Sequence, residues 1–218
     1  MKVVEELNEE TRERLEALII TGDGRSEFRR LKPLVDHYDE DRVLLFPSRP
    51  ERHLQIVGRG STHPDTARRG WDALEAIQLY KSKYNHTRFL FIVDKEHCER
   101  YGRAELEEKI TDLATDDETK IEELGNGAYV AEFRIGREIV LYTAVVGDEF
   151  GFFEDDLAEL IELEWGNEID EDDKDEFKST VNQILSGGSG RSLLENADRE
   201  NLDRAFESLS VLLQQFEA

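Results

Sequence analysis

Five consecutive apolar residues, Phe89-Leu90-Phe91-Ile92-Val93, run directly into an acidic residue, Asp94. The run lacks the alternation of a strand with one wet face and is too short to be a helix of its own, so it predicts a central strand buried on both faces. Strands of this kind belong to mostly parallel sheets that helices cover on both sides. The chain is therefore expected to be an α/β protein.

Two further apolar runs support this architecture. Residues 17–20 stop at Thr21-Gly22, and residues 43–46 stop at Pro47, so both predict short buried strands. Residues 5–16 have helix-forming composition, and an amphipathic helix is expected over about residues 65–84. Strands that alternate with helices indicate βαβ units, hence a central, mainly parallel sheet flanked by helices.

The second half of the chain predicts a hairpin followed by helices. Residues 128–135 and 138–146 flank Gly136-Arg137, which suits a two-residue turn. The first segment alternates like an edge strand, and the second is almost entirely apolar. Helices are expected over residues 154–165, 171–185 and 193–216, with a flexible Ser-Gly link at residues 186–190. We expect an α/β domain over residues 1–166 and a C-terminal helical extension over residues 167–218.

The charge is strongly acidic, with 28 Lys and Arg against 51 Asp and Glu and a net charge of −23. Such an excess resembles that of halophilic proteins, whose acidic surfaces stay hydrated in concentrated salt. Residues 25–69 differ, because they hold ten Lys and Arg against seven Asp and Glu. This segment carries +3 and the remainder of the chain −26, an asymmetry that favours a local phosphate-binding face.

Several classes of protein are disfavoured by what the sequence lacks. A single cysteine, Cys98, excludes an internal disulfide. No run approaches the roughly 20 apolar residues of a membrane span, and residues 1–6 do not have the apolar core of a secretion signal. No Gly-x4-Gly-Lys-Ser/Thr motif is present, so no P-loop is expected. We expect a cytoplasmic protein that does not associate with membranes.

Acidic residues follow two of the predicted core strands. Asp23 comes shortly after residues 17–20, and Asp94 and Glu96 end the run at residues 89–93. If the two strands are parallel, these carboxylates gather at one end of the sheet. On a regular strand Asp94 and Glu96 would share a face. Oxygen ligands of this kind select a hard cation, so the pattern predicts a Mg²⁺ site to which Glu27 could add a fourth carboxylate.

The same residues resemble a known family. The segment Ile20-Thr21-Gly22-Asp23-Gly24-Arg25-Ser26-Glu27-Phe28, followed later by residues 89–96, is similar to the TOPRIM fold of topoisomerases, DnaG-type primases and OLD-family nucleases. Residues 151–157, Gly-Phe-Phe-Glu-Asp-Asp-Leu, are similar to a helix start found in stand-alone TOPRIM-like proteins. The resemblance covers about residues 16–165 and excludes the C-terminal helices.

The resemblance implies roles for individual residues. Asp23 stands where the family has a general acid/base glutamate, Asp94 and Glu96 would hold Mg²⁺ or Mn²⁺, and Glu27 would assist the metal. Asp23 is one methylene shorter than the family's residue and Glu96 one longer, which affects proton transfer more than metal binding. The implied activity is metal-dependent phosphoryl transfer by a nuclease acting on DNA or RNA. The phosphate contacts would come from basic residues near the site, namely Arg25, Arg59, Arg68 and Arg69.

A second interpretation is a non-catalytic TOPRIM-like module that binds nucleic acid or a protein partner. The last predicted helix has an apolar stripe formed by Leu202, Ala205, Leu209, Leu212 and Phe216. Together with the Ser-Gly link, this stripe favours docking of a partner or self-association through the C-terminal helices. Docking is also compatible with the nuclease interpretation.

Overall fold

The structure, a computed structural model, describes residues 1–22, 31–38, 41–47, 70–98 and 102–217. Within these ranges one sheet contains seven strands. They are β1 (Lys2–Val4), β2 (Leu15–Thr21), β3 (Val43–Leu45), β4 (Arg88–Asp94), β5 (Lys120–Gly125), β6 (Ala128–Arg134) and β7 (Glu138–Val146).

The strands lie in the order β1-β3-β2-β4-β7-β6-β5. The first five strands of this order are parallel to one another, while β6 runs antiparallel to β7, and β5 antiparallel to β6. The predicted α/β class with a mainly parallel sheet is therefore confirmed. The hairpin around Gly136 is also present, but Arg134 is paired with Glu138, so its connection is three residues long, 135–137, and not the predicted two.

Helices flank the sheet on both sides. Each helix in the described part of the chain is too short or too polar to span a lipid bilayer. Short 3-10 turns occur at Gly70–Glu75, Lys95–His97 and Ser186–Gly188, and residues 31–35 are helical. The α-helices are α1 (Glu9–Glu13), α2 (Ala76–Lys83), α3 (Arg103–Leu113), α4 (Phe153–Trp165), α5 (Lys174–Ile184), α6 (Ser189–Asn196), α7 (Arg199–Ala205) and α8 (Glu207–Glu217).

The continuous apolar run of β4 is explained by burial on both faces of the sheet. Phe89, Phe91 and Val93 pack with Trp71 and residues of α2 and α3 on one face. Leu90 and Ile92 belong to the core of the other face, which α4 to α8 and residues 31–35 cover. Because successive side chains of a strand point to opposite sides, both sets must be apolar.

Two strands were not predicted, and both lie at edges of the sheet. β1 precedes residues 5–16, the segment with helix-forming composition, in which α1 is only five residues long. β5 pairs with β6, so β6 is not the edge strand that its alternation predicted. Half of the residues of β5 are exposed and charged and none is buried, hence its sequence has no apolar pattern to mark it.

The C-terminal helices share the core of the sheet. Leu202, Ala205, Leu209, Leu212 and Phe216 are all buried in the same cluster as Tyr142 and Ala144 of β7. The ring of Phe216 meets that of Tyr142 edge to face at 4.6 Å. The stripe that favoured docking of a partner is thus covered by the protein's own sheet.

The single helix expected over residues 193–216 is three helices. α6 gives way to α7 at Asp198, whose side chain accepts a hydrogen bond from the N–H of Glu200 as an N-cap, and α7 ends at Phe206. The Ser-Gly segment before them is helical and not an open link. A Cβ on Gly190 would lie 2.8 Å from Cβ of Leu185, so this glycine allows the close packing of the two turns.

Candidate functional site at the carboxyl ends of β2, β4 and β7

The order of the strands makes the boundary between β2 and β4 a topological switch point. The strand that follows β2 in the chain, β3, lies on one side of this boundary, whereas the strands that follow β4 lie on the other side. Ligands of open α/β sheets bind at such a switch point. β7 ends at the same level, because Val146 pairs with Asp94.

The end of β2 lies directly against the end of β4. The N–H of Gly22 donates a 2.8 Å hydrogen bond to the carbonyl of Ile92, and its carbonyl accepts one of 3.0 Å from the N–H of Gly70. A Cβ on Gly22 would lie 3.1 Å from Val93 and 3.3 Å from Cα of Gly70. The absence of a side chain at Gly22 therefore permits this close approach of three segments.

Of the predicted site residues, two are described. Asp23 follows Gly22 in the chain and Arg69 precedes Gly70, but both lie outside the described residues. The same holds for Arg25, Glu27, Arg59 and Arg68. The predicted convergence of carboxylates therefore rests on Asp94 and Glu96 and on the parallel pairing of β2 with β4.

Asp94 is the last residue of β4 and is only 3% exposed. Alternation along the strand turns its side chain to the same face as Ile92, toward α4. Its charge is among the influences that raise the pKa of Asp156 on α4. Asp94 therefore provides a buried carboxylate at the end of a central strand, where the sequence predicted the site.

Glu96 does not extend the strand. Residues 95–97 form a 3-10 turn, so the two-residue period that would align Glu96 with Asp94 ends at Asp94. The carboxylate of Glu96 accepts a hydrogen bond from the ammonium of Lys174 on α5. That ammonium also lies 5.1 Å above the ring of Phe152. Glu96 is thus part of an ion pair at the surface of the site.

Two acidic residues of α4 organise the loop that follows β7. One oxygen of Asp155 accepts hydrogen bonds from four backbone N–H groups at distances of 2.7–3.3 Å, those of Asp148, Phe150, Gly151 and Phe152. Asp156 accepts one from Gly147 at 3.0 Å. The acidic helix start that the sequence singled out therefore serves the backbone of this loop.

Burial dominates the electrostatics of these two acids. The pKa of Asp156 is raised well above its usual value of 3.8 by desolvation, and the charges of Asp155, Asp94 and Glu159 raise it further against the hydrogen bond from Gly147. Desolvation also raises the pKa of Asp155, and its hydrogen bonds to backbone N–H groups oppose the rise. Burial therefore favours the protonated form of both acids.

A cleft of about 660 Å³ opens at the end of β7, the strand next to β4, and Lys95 lines it, whereas Asp94 and Glu96 do not. Its floor is the end of β7, residues 145–147. Cationic side chains reach it from three elements: Lys95 of the 3-10 turn, Arg103 of α3 and Arg204 of α7. They pair with Asp148 at 3.3 Å, Glu107 at 3.0 Å and Glu159 at 3.2 Å, respectively. These cations were not predicted, because they lie far apart in the sequence and among acids.

One basic residue of the +3 segment lies at the opposite end of the sheet. Arg42 precedes β3 and contacts the carboxylate of Glu16 at 2.9 Å. Glu16 is buried and also pairs with Arg88, at the beginning of β4. Arg42 therefore stabilises the amino ends of the strands and does not contribute to a phosphate-binding face near Asp94.

The chemistry of the described donors fits a magnesium ion in part. Mg²⁺ takes one or two carboxylates and fills its remaining positions with water or phosphate oxygens. Asp94 meets this requirement, and Glu96 would have to leave Lys174. Among the described residues no group of three or more Asp, Glu, His or Cys side chains is placed to hold a metal. A Mg²⁺ site would thus rest on Asp94, Glu96 and ligands such as Asp23 or Glu27.

The fold and the site define an α/β protein with a mainly parallel sheet and a buried carboxylate at the switch point. Comparison with known protein families, curated proteins and solved structures finds no match for this chain.

Proposed function

We propose that this protein is a TOPRIM-like, Mg²⁺-dependent phosphoryl-transfer enzyme, a nuclease acting on DNA or RNA. The observation that carries the proposal is the position of Asp94, a buried carboxylate at the carboxyl end of a central strand beside the end of β2. Asp23 follows β2 in the chain, so the sequence supplies a second acid to this end of the sheet.

The acidic residues of the site would have separate roles. Asp94 and Glu96 would hold Mg²⁺ or Mn²⁺, with Glu27 assisting. A bound metal of this type activates water and neutralises charge on the phosphate. Asp23 would move a proton at the reacting oxygen, which requires hydrogen-bond reach to that atom. Lys174 would release Glu96 to the metal, and the exposed position of this ion pair makes the exchange inexpensive.

The cleft at the end of β7 is where the nucleic acid would lie, one strand away from Asp94. Arg103 and Arg204 are half or more exposed, and their pairs with acids are the kind that contribute little to stability. Phosphate oxygens can therefore replace those acids as partners. Arg25, Arg59, Arg68 and Arg69 would add phosphate contacts from the +3 segment.

A metal titration combined with a cleavage assay tests the proposal. Wild-type protein, Asp94→Ala and Asp23→Ala would be incubated with labelled single- and double-stranded DNA and RNA, with Mg²⁺, Mn²⁺ or EDTA, in low and molar KCl. Glu118→Ala is the matched control, because Glu118 is exposed and distant from β4 in the sequence. We expect metal-dependent cleavage by the wild type and by the control, and loss of cleavage in Asp94→Ala and Asp23→Ala.

Other outcomes assign a different function. Tight Mg²⁺ binding without cleavage by the wild type would replace the nuclease with the non-catalytic binding module. Cleavage that persists in Asp94→Ala would overturn the proposed site. Since the apolar stripe of the C-terminal helices is covered by the sheet, a module of this kind would not use that stripe to dock a partner.

A further inference from the structure

The side chain of Asp155 holds the middle of the loop between β7 and α4. A single oxygen of Asp155 accepts four hydrogen bonds from backbone N–H groups of residues 148–152, the shortest being 2.7 Å from Gly151. Its other oxygen finds no hydrogen-bond partner among the described residues. The conformation of this loop therefore depends on the carboxylate of Asp155.

The same loop supports the turn that carries Glu96. The carbonyl of Gly151 accepts a 2.6 Å hydrogen bond from the N–H of Glu96. A Cβ on Gly151 would lie 2.9 Å from that nitrogen, and Gly151 has φ +81°, so the contact depends on glycine. Lys95 adds a 3.0 Å hydrogen bond to the carbonyl of Asp148. The turn directly after Asp94 thus rests on the loop through Gly151 and Asp148.

Asp155 itself is buried, at 8% exposed, and one of its oxygens is taken up by the backbone N–H groups of the loop. Its hydrogen-bonded link to the turn of Glu96 runs through Gly151. Groups that hold the ligands of a metal in this way typically change metal affinity by about 10–100-fold when removed.

We infer that Asp155 is a positioning residue for the metal site, fixing the turn of Glu96 at the end of β4 through the loop of residues 148–152. The inference rests on the proposed function, since it requires that Mg²⁺ binds beside Asp94.

Calorimetric titration of Mg²⁺ alone tests this role without an activity assay. Asp155→Ala removes the acceptor, and Asp155→Asn keeps an oxygen of the same reach. We expect Asp155→Ala to raise the Kd for Mg²⁺ by about 10–100-fold and Asp155→Asn to restore most of the affinity. Asp198→Ala is the matched control, because Asp198 also caps a helix through backbone N–H but belongs to a different element, before α7. Its Kd should equal that of the wild type.

All titrations are run at a temperature at which thermal melts in EDTA show each variant folded. If Asp155→Ala does not fold, Gly151→Ala takes its place and should weaken Mg²⁺ binding within the same range. Wild-type affinity in the folded Asp155→Ala or Gly151→Ala protein would overturn the positioning role alone. A wild-type protein that binds no Mg²⁺ would overturn the metal site, and with it this inference.

Discussion

The N–H of Gly147 donates a 3.0 Å hydrogen bond to Oδ1 of Asp156, which joins the end of β7 to the first turn of α4. Gly147 has φ +88°, and the carboxylate it meets is buried among other acids. The left-handed backbone of Gly147 and the buried carboxylate of Asp156 therefore meet at the proposed site, and a substitution can change either one alone.

Replacement of Asp156 by asparagine should stabilise the protein at high pH. Because burial raises the pKa of Asp156 in the folded state, the folded protein binds more protons than the unfolded chain, and stability is lost as pH rises through the folded pKa. Asp156→Asn keeps an acceptor for Gly147 and carries no charge. We expect its Tm at pH 8 to exceed that of the wild type by at least about 2–4 °C.

The gain should shrink as pH falls toward 3.8, where Asp156 is protonated in the wild type. Thermal melts between about pH 4 and 8 in molar KCl and EDTA measure it. Asp112→Asn, at an exposed position of α3, is the control. A Tm difference that does not vary with pH would show that Asp156 is not the titrating group.

Substitution of Gly147 should be far more damaging than that of another glycine with positive φ. A Cβ at Gly147 would lie 2.3 Å from the backbone nitrogen of Phe152, whereas one at Gly136, with φ +71°, would meet nothing within 4 Å. Gly136→Ala should cost about 1–2 kcal/mol for the left-handed conformation alone. Gly147→Ala should lower the free energy of unfolding by at least about 3 kcal/mol. Urea denaturation compares the two, and equal decreases would contradict the geometry of the loop.

Leu212→Ala should destabilise the whole protein. Leu212 is fully buried in the core that α8 shares with the sheet, so its truncation should cost about 2–5 kcal/mol. Gln215→Ala, at an exposed position of the same helix, should change stability by less than about 0.5 kcal/mol. In a Trp165→Phe background, unfolding followed by circular dichroism and by fluorescence of Trp71, on the other face of the sheet, should give coincident transitions. A separate early transition for the C-terminal helices would contradict a shared core.

The cations of the cleft should set the salt dependence of nucleic-acid binding. Arg103→Ala/Arg204→Ala should weaken binding of a labelled single-stranded oligonucleotide in Ca²⁺. The slope of log K against log salt should fall by about 0.7 for each phosphate that the cleft no longer neutralises. Arg191→Ala, on α6 and 78% exposed, is the control. Fluorescence anisotropy at several KCl concentrations measures the slopes, and identical slopes would exclude this cleft as the binding surface.

Local sequence patterns predicted the elements whose burial or turn geometry is visible in consecutive residues. The run at residues 89–93 indicated a strand buried on both faces, and Gly136-Arg137 indicated a hairpin, because each pattern arises from neighbours in the chain. β1 and β5 were missed, since β1 is only three residues long and β5 has no buried side chain to produce an apolar period. The last apolar stripe was recognised, but the surface that covers it was not.

The sequence by itself determined the α/β class, the buried central strand and the acid at its end. Burial on both faces and a sharp stop leave a mark on consecutive residues. Only the tertiary structure decided that Glu96 leaves the strand to pair with Lys174, that Asp155 holds the loop beneath it, and that Arg42 serves the opposite end of the sheet. Those contacts join residues that are distant in the chain or turned by the backbone, and no local periodicity records them.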